Sequence, residues 1–194
     1  MVVCVIEDKI KVFDLIKNIL KANNCTNSMF LYGNADFSAD IRKYITENDV
    51  LIFRYVNPSL LLTEYNTHFS ALIDLAVVGD CGKFRRGAGF DIARLGNTKS
   101  LLLNIENSGG VKYSDDNNIQ VITCGLKEKD TVIFSSINLD EGNVILDLQR
   151  SVKNIKGETL EPFEEQIDIP EIVLDAKAED LILSFTALKL CNMI

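Results

Sequence analysis

The first 104 residues alternate between short apolar segments and segments with helical periodicity, and this alternation restricts the fold most. Val2 to Ile6 has the β-branched composition of a buried strand, and from Lys9 to Asn23 apolar residues recur at helical spacing. The pattern predicts a parallel sheet with helices on both faces. The other elements predicted in this part are strands over 28–32, 49–56, 73–78 and 100–104, a helix capped by Asp36 or Ser38 that ends at about Thr46, and a helix from Ser59 to about Phe69.

After Ile119 the alternation of predicted strands and helices gives way to consecutive strands. Four further strands are predicted near 120–124, 131–138, 144–148 and 160–169, and Asp140 to Asn143 joins the middle two in a hairpin. We interpret the acidic run from Glu158 to Glu165 as an exposed strand edge that its charge protects. A last helix is predicted over 178–192. The sequence therefore predicts one α/β domain over 1–194: a three-layer, P-loop or Rossmann-like parallel sheet with a mixed or antiparallel hairpin region and a closing C-terminal helix.

Composition excludes several classes of protein. The 194 residues are 47% hydrophobic and 25% charged, which is typical of a globular domain. A net charge of -8 argues against nucleic acid or an anionic membrane as the main partner. The five cysteines form no CxxC pair, and no apolar run approaches the roughly 20 residues of a membrane helix. We expect a soluble, cytoplasmic protein with reduced thiols.

The turn after the first strand lacks the glycines of a phosphate-binding loop. In many α/β proteins this turn is glycine-rich and presents backbone N–H groups to a phosphate. Here it reads Glu7-Asp8-Lys9-Ile10-Lys11. We expect its two acids to repel phosphate, and the turn to serve as a structural nucleus of the fold.

Two later segments carry a family resemblance. Residues 121–126 (VITCGL), followed by 127–136, and residues 101–107 (LLLNIEN) resemble the "ITYGL" and "AVLNADD" segments of the Mur ligase central, ATP-binding domain. Mur ligases, with the related folylpolyglutamate synthases, join an amino acid to a carboxylate through an acyl phosphate. The resemblance spans nearly the whole chain and implies a domain of this type.

The family's catalytic positions are not preserved. Residues 7–13 stand where the family has its GTNGKT P-loop, so both glycines are lost, the magnesium-binding hydroxyl becomes Val12, and only Lys11 is retained in kind. Arg54 stands at about the sequence position where the family has its magnesium-binding glutamate. The segment from Val78 to Gly82, which matches a family motif after the fourth strand, lacks the histidine of that motif. We expect no counterpart of the family's N-terminal and C-terminal domains. We therefore expect a degenerate domain without ligase activity, with no metal site and no cofactor; ATP with magnesium is possible but not expected.

One loop nevertheless offers a candidate anion site. Residues 79–89 (GDCGKFRRGAG) follow the fourth strand, at the carboxyl end of the sheet where ligands bind in such folds. Glycines let the backbone approach an anion, and arginine binds phosphate or carboxylate through two N–H groups. The competing interpretation is a solvated loop with no specific ligand. The candidate residues are Lys11, Arg54, Gly82, Lys83, Arg85 and Arg86.

Two functional hypotheses follow. The first is a non-catalytic, pseudoenzyme-like domain that acts in binding, regulation or assembly, as a homo-oligomer or as a partner of cell-wall ligases. The alternative is a nucleotide- or anion-binding protein, or a residual ligase-related enzyme, that uses the loop from Gly79 to Gly89.

Overall fold

The computed structural model describes residues 1–7, 9, 11–25, 27–31, 50–55, 73–81, 90–91, 98–104, 111–112 and 119–194. Within them a nine-stranded sheet forms the centre of an α/β, Rossmann-like fold. Its strands are β1 (Val2–Ile6), β2 (Ser28–Leu31), β3 (Val50–Tyr55), β4 (Leu75–Val78), β6 (Ser100–Leu103), β8 (Gln120–Gly125), β9 (Val132–Asn138), β10 (Asn143–Leu148) and β13 (Phe163–Asp168).

Six of these strands run parallel, in the order β2-β3-β1-β4-β6-β8. The chain leaves β1 toward β2 on one side and later returns past β1 to β4 on the other side. The carboxyl ends of β1 and β4 therefore border the point where the direction of winding reverses. Ligands of open α/β sheets bind at this point.

The other end of the sheet is mostly antiparallel. β9 continues parallel to β8 over two residue pairs, and β10 and β13 then pair antiparallel, so the full order ends β8-β9-β10-β13. The predicted mixed region and its hairpin are confirmed. The parallel part extends further than expected, since β8 belongs to it.

Two described helices cover one face of the sheet. They are α1 (Val12–Ala22) and α2 (Ala178–Leu190), which contact each other. Alternate residues of the strands, such as Val3, Val5 and Val77, pack in one buried cluster with both helices. The intervening residues, such as Cys4 and Val78, form a second buried cluster on the opposite face. The parallel strands are thus buried on both faces, which explains their continuous apolar sequences.

Several short elements were not predicted. β5 (Phe90–Asp91) pairs with β7 (Val111–Lys112), and β11 (Val152–Lys153) pairs with β12 (Thr159–Leu160). A 3-10 helix spans Glu171–Val173. The first helix begins at Val12, three residues after the helical spacing of the sequence starts at Lys9. The helices predicted over 38–46 and 59–69 lie outside the described residues.

All five cysteines are described, and none forms a disulfide. No helix among the described residues is long and apolar enough to cross a membrane.

Candidate functional site

The carboxyl ends of β1, β3 and β4 bring charged residues of distant sequence positions together. Side chains alternate along a strand, so Glu7 follows Val3 and Val5 onto the face that α1 covers. Arg54 of β3 is the register partner of Val5, and its side chain lies on that same face. The site is therefore built by ordinary strand geometry at the point where the winding reverses.

The Glu7 carboxyl group caps α1. Its Oε1 accepts hydrogen bonds from the backbone N–H groups of Lys11 and Phe13, both at 3.2 Å. Its Oε2 accepts a hydrogen bond of 2.9 Å from the N–H of Val12. These N–H groups lie at the start of the helix, where backbone N–H groups and the helix dipole together attract an anion. A side chain of the protein thus engages N–H groups at a helix start, the kind of donors that bind phosphate in P-loop proteins.

Arg54 completes the enclosure of Glu7. Its Nε lies 3.6 Å from Oε1 of Glu7, and its guanidinium donates a 3.3 Å hydrogen bond to the Glu7 backbone carbonyl. Arg54 is only 7% exposed and Glu7 only 1%. The buried guanidinium therefore contacts a carboxylate of the chain itself.

Gly79 leaves space for this carboxylate. Its N–H donates a 3.0 Å hydrogen bond to the carbonyl of Ile6, which holds the end of β4 beside the end of β1. A methyl group on Gly79 would lie 3.1 Å from Oε2 of Glu7 and 3.2 Å from Cγ2 of Val12. A side chain on residue 79 would therefore crowd Glu7 and Val12 in this packed interior.

Lys11 joins this centre to α2. Its Nζ lies 3.3 Å from Oδ2 of Asp80 and 3.8 Å from Oδ2 of Asp180, in the first turn of α2. Lys11 is thus paired with two carboxylates instead of projecting freely into solvent. It links the end of β4 to the closing helix.

Burial raises the pKa values of two carboxyl groups at this site. Burial raises the pKa of Glu7 above its ordinary value, although hydrogen bonds from Phe13, Lys11 and Val12 and the charge of Arg54 act in the opposite direction. Burial also raises the pKa of Asp180, while Lys11 lowers it. The site therefore holds two carboxyl groups that bind protons more strongly than exposed ones.

An open groove lies beside Lys11, between α1 and residues 172–180. Its volume is about 320 Å³, and Leu15 and Val173 form part of its floor. Asp14, Asp175 and Lys177 also line it. Its mixture of both charges favours no ligand class. Within the described residues, no three histidine, cysteine, aspartate or glutamate side chains are grouped so that they could hold a metal ion.

The structure places two of the six predicted anion-site residues. Lys11 and Arg54 both lie at the expected end of the sheet, and both contact carboxylates there. The other four, Gly82, Lys83, Arg85 and Arg86, lie outside the described residues, and their role stays a prediction.

Sequence reasoning missed the role of Glu7. We expected its charge only to repel phosphate, but the carboxylate itself accepts the N–H groups of the helix start. One signal pointed to it: an acid directly after a buried strand, four to six residues before the first N–H groups of a helix. An acid near a helix N-terminus is favourable on general grounds.

Comparison with known proteins adds no relative. Neither family models nor curated proteins match the chain. The resemblance to Mur ligases therefore rests on the sequence patterns alone and stays a prediction.

Proposed function

We propose that this chain is a non-catalytic α/β domain, related to the central domain of Mur ligases, that acts in binding or assembly. The observation that supports this proposal is the position of the Glu7 carboxylate on the first N–H groups of α1. Phosphoryl transfer depends on backbone donors and cations arranged around the phosphate. Here those donors are engaged by the chain itself.

The nearby cations are engaged as well. Arg54 contacts Glu7, and Lys11 contacts Asp80 and Asp180. A nucleotide phosphate would have to displace a buried carboxylate and also separate these ion pairs. The cell-wall ligases, or a second copy of the chain, are the partners that this proposal implies.

A thermal-shift experiment tests the proposal. A ligand that binds the folded state raises Tm with its concentration relative to Kd. We expect ATP, ADP and UDP-sugars, with and without magnesium, to leave the Tm of the wild-type chain unchanged. A magnesium-dependent rise with ATP would overturn the proposal and favour the alternative of a nucleotide-binding protein.

A second experiment removes the Glu7 carboxylate and tests whether an anion can then bind in its place. Glu7→Ala exposes the three N–H groups, so we expect a loss of about 2–4 kcal/mol of stability. Millimolar phosphate or sulfate should then raise the Tm of Glu7→Ala more than that of the wild type. Glu128→Ala, which removes an exposed acid elsewhere, is the charge-matched control. An equal response of all three proteins would show that Glu7 does not block an anion site.

A further inference from the structure

β13 forms the outer edge of the sheet in the part of the chain that the structure describes. Its inner side pairs with all six residues of β10, and no described strand pairs with its outer side. Edge strands are usually protected against pairing by short length, proline, charged side chains or a bulge. β13 is six residues long, contains no proline and keeps a regular register along β10, so its protection comes from its acidic side chains alone.

The ladder identifies which backbone groups point outward. The N–H of Ile169 donates a 2.7 Å hydrogen bond to the carbonyl of Gly142, so this pair is of the hydrogen-bonded type. Such pairs alternate along an antiparallel ladder, which turns the N–H and C=O groups of Phe163, Glu165 and Ile167 toward β10. The groups of Glu164, Gln166 and Asp168 therefore point away from the sheet.

The outward-pointing residues also give the edge its charge. Glu164, Gln166 and Asp168 are all exposed, and their side chains share one face of the sheet. Among the described residues, no hydrogen bond or ion pair engages the carboxylates of Glu164 and Asp168. Glu165, on the other face, is instead paired with Lys189 of α2 at 2.8 Å. The outer edge thus presents two uncompensated negative charges, two residues to either side of Gln166.

We propose that the outer edge of β13 is a docking site for an extended, basic peptide segment that adds to the sheet as a further strand. Strand addition uses the backbone groups of an exposed edge for affinity and alternate side chains for specificity. Lysine or arginine at alternate positions of the incoming strand would face Glu164 and Asp168. Opposite charges across neighbouring strands are favourable.

The same charges disfavour a second copy of this chain at the edge. Two copies of β13 that pair antiparallel over their full length, with Gln166 opposite Gln166, place Glu164 of each copy opposite Asp168 of the other. Like charges directly opposite each other destabilise a sheet. The acidic side chains of β13 therefore disfavour pairing with a second copy of β13 and favour pairing with a basic strand.

The test measures binding of a labelled peptide to the full chain by fluorescence anisotropy. The probe has about eight residues, in which lysine alternates with valine or threonine, and its control carries glutamate for lysine. We expect the lysine peptide to bind at least about tenfold more tightly than the glutamate peptide. The double variant Glu164→Lys/Asp168→Lys should reverse this preference. Absence of binding by the lysine peptide would overturn the proposal.

A proline variant separates strand addition from simple charge attraction. Gln166→Pro removes one outward N–H and leaves the bonds to β10 in place, whereas Gln166→Ala keeps that N–H. We expect Gln166→Pro to weaken lysine-peptide binding about tenfold and Gln166→Ala to leave it unchanged. Equal binding by both variants would overturn strand addition, as would a wild-type dimer that Gln166→Pro dissociates. Circular dichroism of each variant confirms that it is folded.

Hydrogen exchange provides an independent readout. In the complex, the amides of Glu164, Gln166 and Asp168 should exchange more slowly, while exposed amides elsewhere should be unchanged. Protection elsewhere without protection of these three would contradict the proposal. These measurements involve neither nucleotide nor Glu7, so their outcome is separate from that of the proposed function.

Discussion

At the scale of single residues, the best-defined feature is the buried contact between Glu7 and the end of β4. Gly79 and Val12 bound the space that the Glu7 side chain fills. A carboxylate in this position is held by hydrogen bonds, by a guanidinium and by close packing at once. Removing the Glu7 carboxylate and crowding it with a larger residue at position 79 should therefore change the stability of the protein in different ways.

We expect Gly79→Ala to destabilise the protein by about 1–3 kcal/mol, because the new methyl group crowds Glu7 and Val12 in a packed interior. Urea unfolding measures this loss. In a Glu7→Ala background the same substitution should cost less, because one of the two crowded groups is gone. A double-mutant cycle gives the coupling between the two positions. If the two losses add without coupling, the contact with Glu7 is not what restricts Gly79.

The raised pKa of Glu7 predicts a pH dependence of stability. A carboxyl group whose pKa is higher in the folded than in the unfolded chain favours folding most when it is protonated. Its contribution is present below the unfolded value near 4.5 and is lost as pH rises through the higher folded value.

Glu7→Gln removes this titration. The free energy of unfolding of the wild type, measured in urea from below pH 4.5 to about pH 8, should therefore fall with rising pH relative to that of the variant. Asp180 has a raised pKa as well, so adding Asp180→Asn should flatten the profile further. Parallel profiles for wild type and Glu7→Gln would mean that the pKa of Glu7 is not raised.

At the scale of elements, the β9–β10 hairpin depends on one backbone conformation. Gly142 has a φ of +68°, its N–H bonds the carbonyl of Leu139, and its carbonyl accepts the N–H of Ile169. The turn therefore fixes both the hairpin and the position at which β13 begins to pair.

Gly142→Ala should cost about 1 kcal/mol, since a β-carbon is strained at positive φ. Gly142→Asn should cost less, because asparagine tolerates the left-handed region. Thermal unfolding compares the two. Nearly equal losses would indicate that packing near Leu174, which lies 3.8 Å from such a β-carbon, matters more than backbone strain.

At the scale of the whole molecule, α2 joins the parallel and antiparallel parts of the sheet. It contacts β4 and β6 as well as β8 and β9, and it packs along α1. Phe185 is one of the largest fully buried side chains in the described structure. The two parts of the sheet should therefore unfold together.

Phe185→Ala should destabilise the protein by about 3–5 kcal/mol through the cavity that it leaves. Hydrogen exchange should show protection falling by similar amounts in β4 and in β10. Ile172→Ala is the control: Ile172 is 68% exposed, and we expect a change within about 0.5 kcal/mol. A loss of protection in β10 alone would instead indicate two independently folding parts.

The sequence by itself determined the order and type of the main elements. Strands such as Val2–Ile6 and Leu75–Val78 are continuous apolar runs because both faces of the sheet are buried, and α1 has a clear helical period. The hairpin was predictable because Gly142 follows two acids between alternating strands. These are local signals, and local physical chemistry suffices to interpret them.

Only the tertiary structure decided what the charged residues do. Arg54 is separated from Glu7 by 47 positions, and Asp180 from Lys11 by far more, so no spacing rule connects them. Strand order and register bring them to one end of the sheet. The turn without glycines was predicted to repel phosphate and to serve as a structural nucleus of the fold. The structure adds what its first acid does: the Glu7 carboxylate lies within hydrogen-bonding distance of the N–H groups that begin α1.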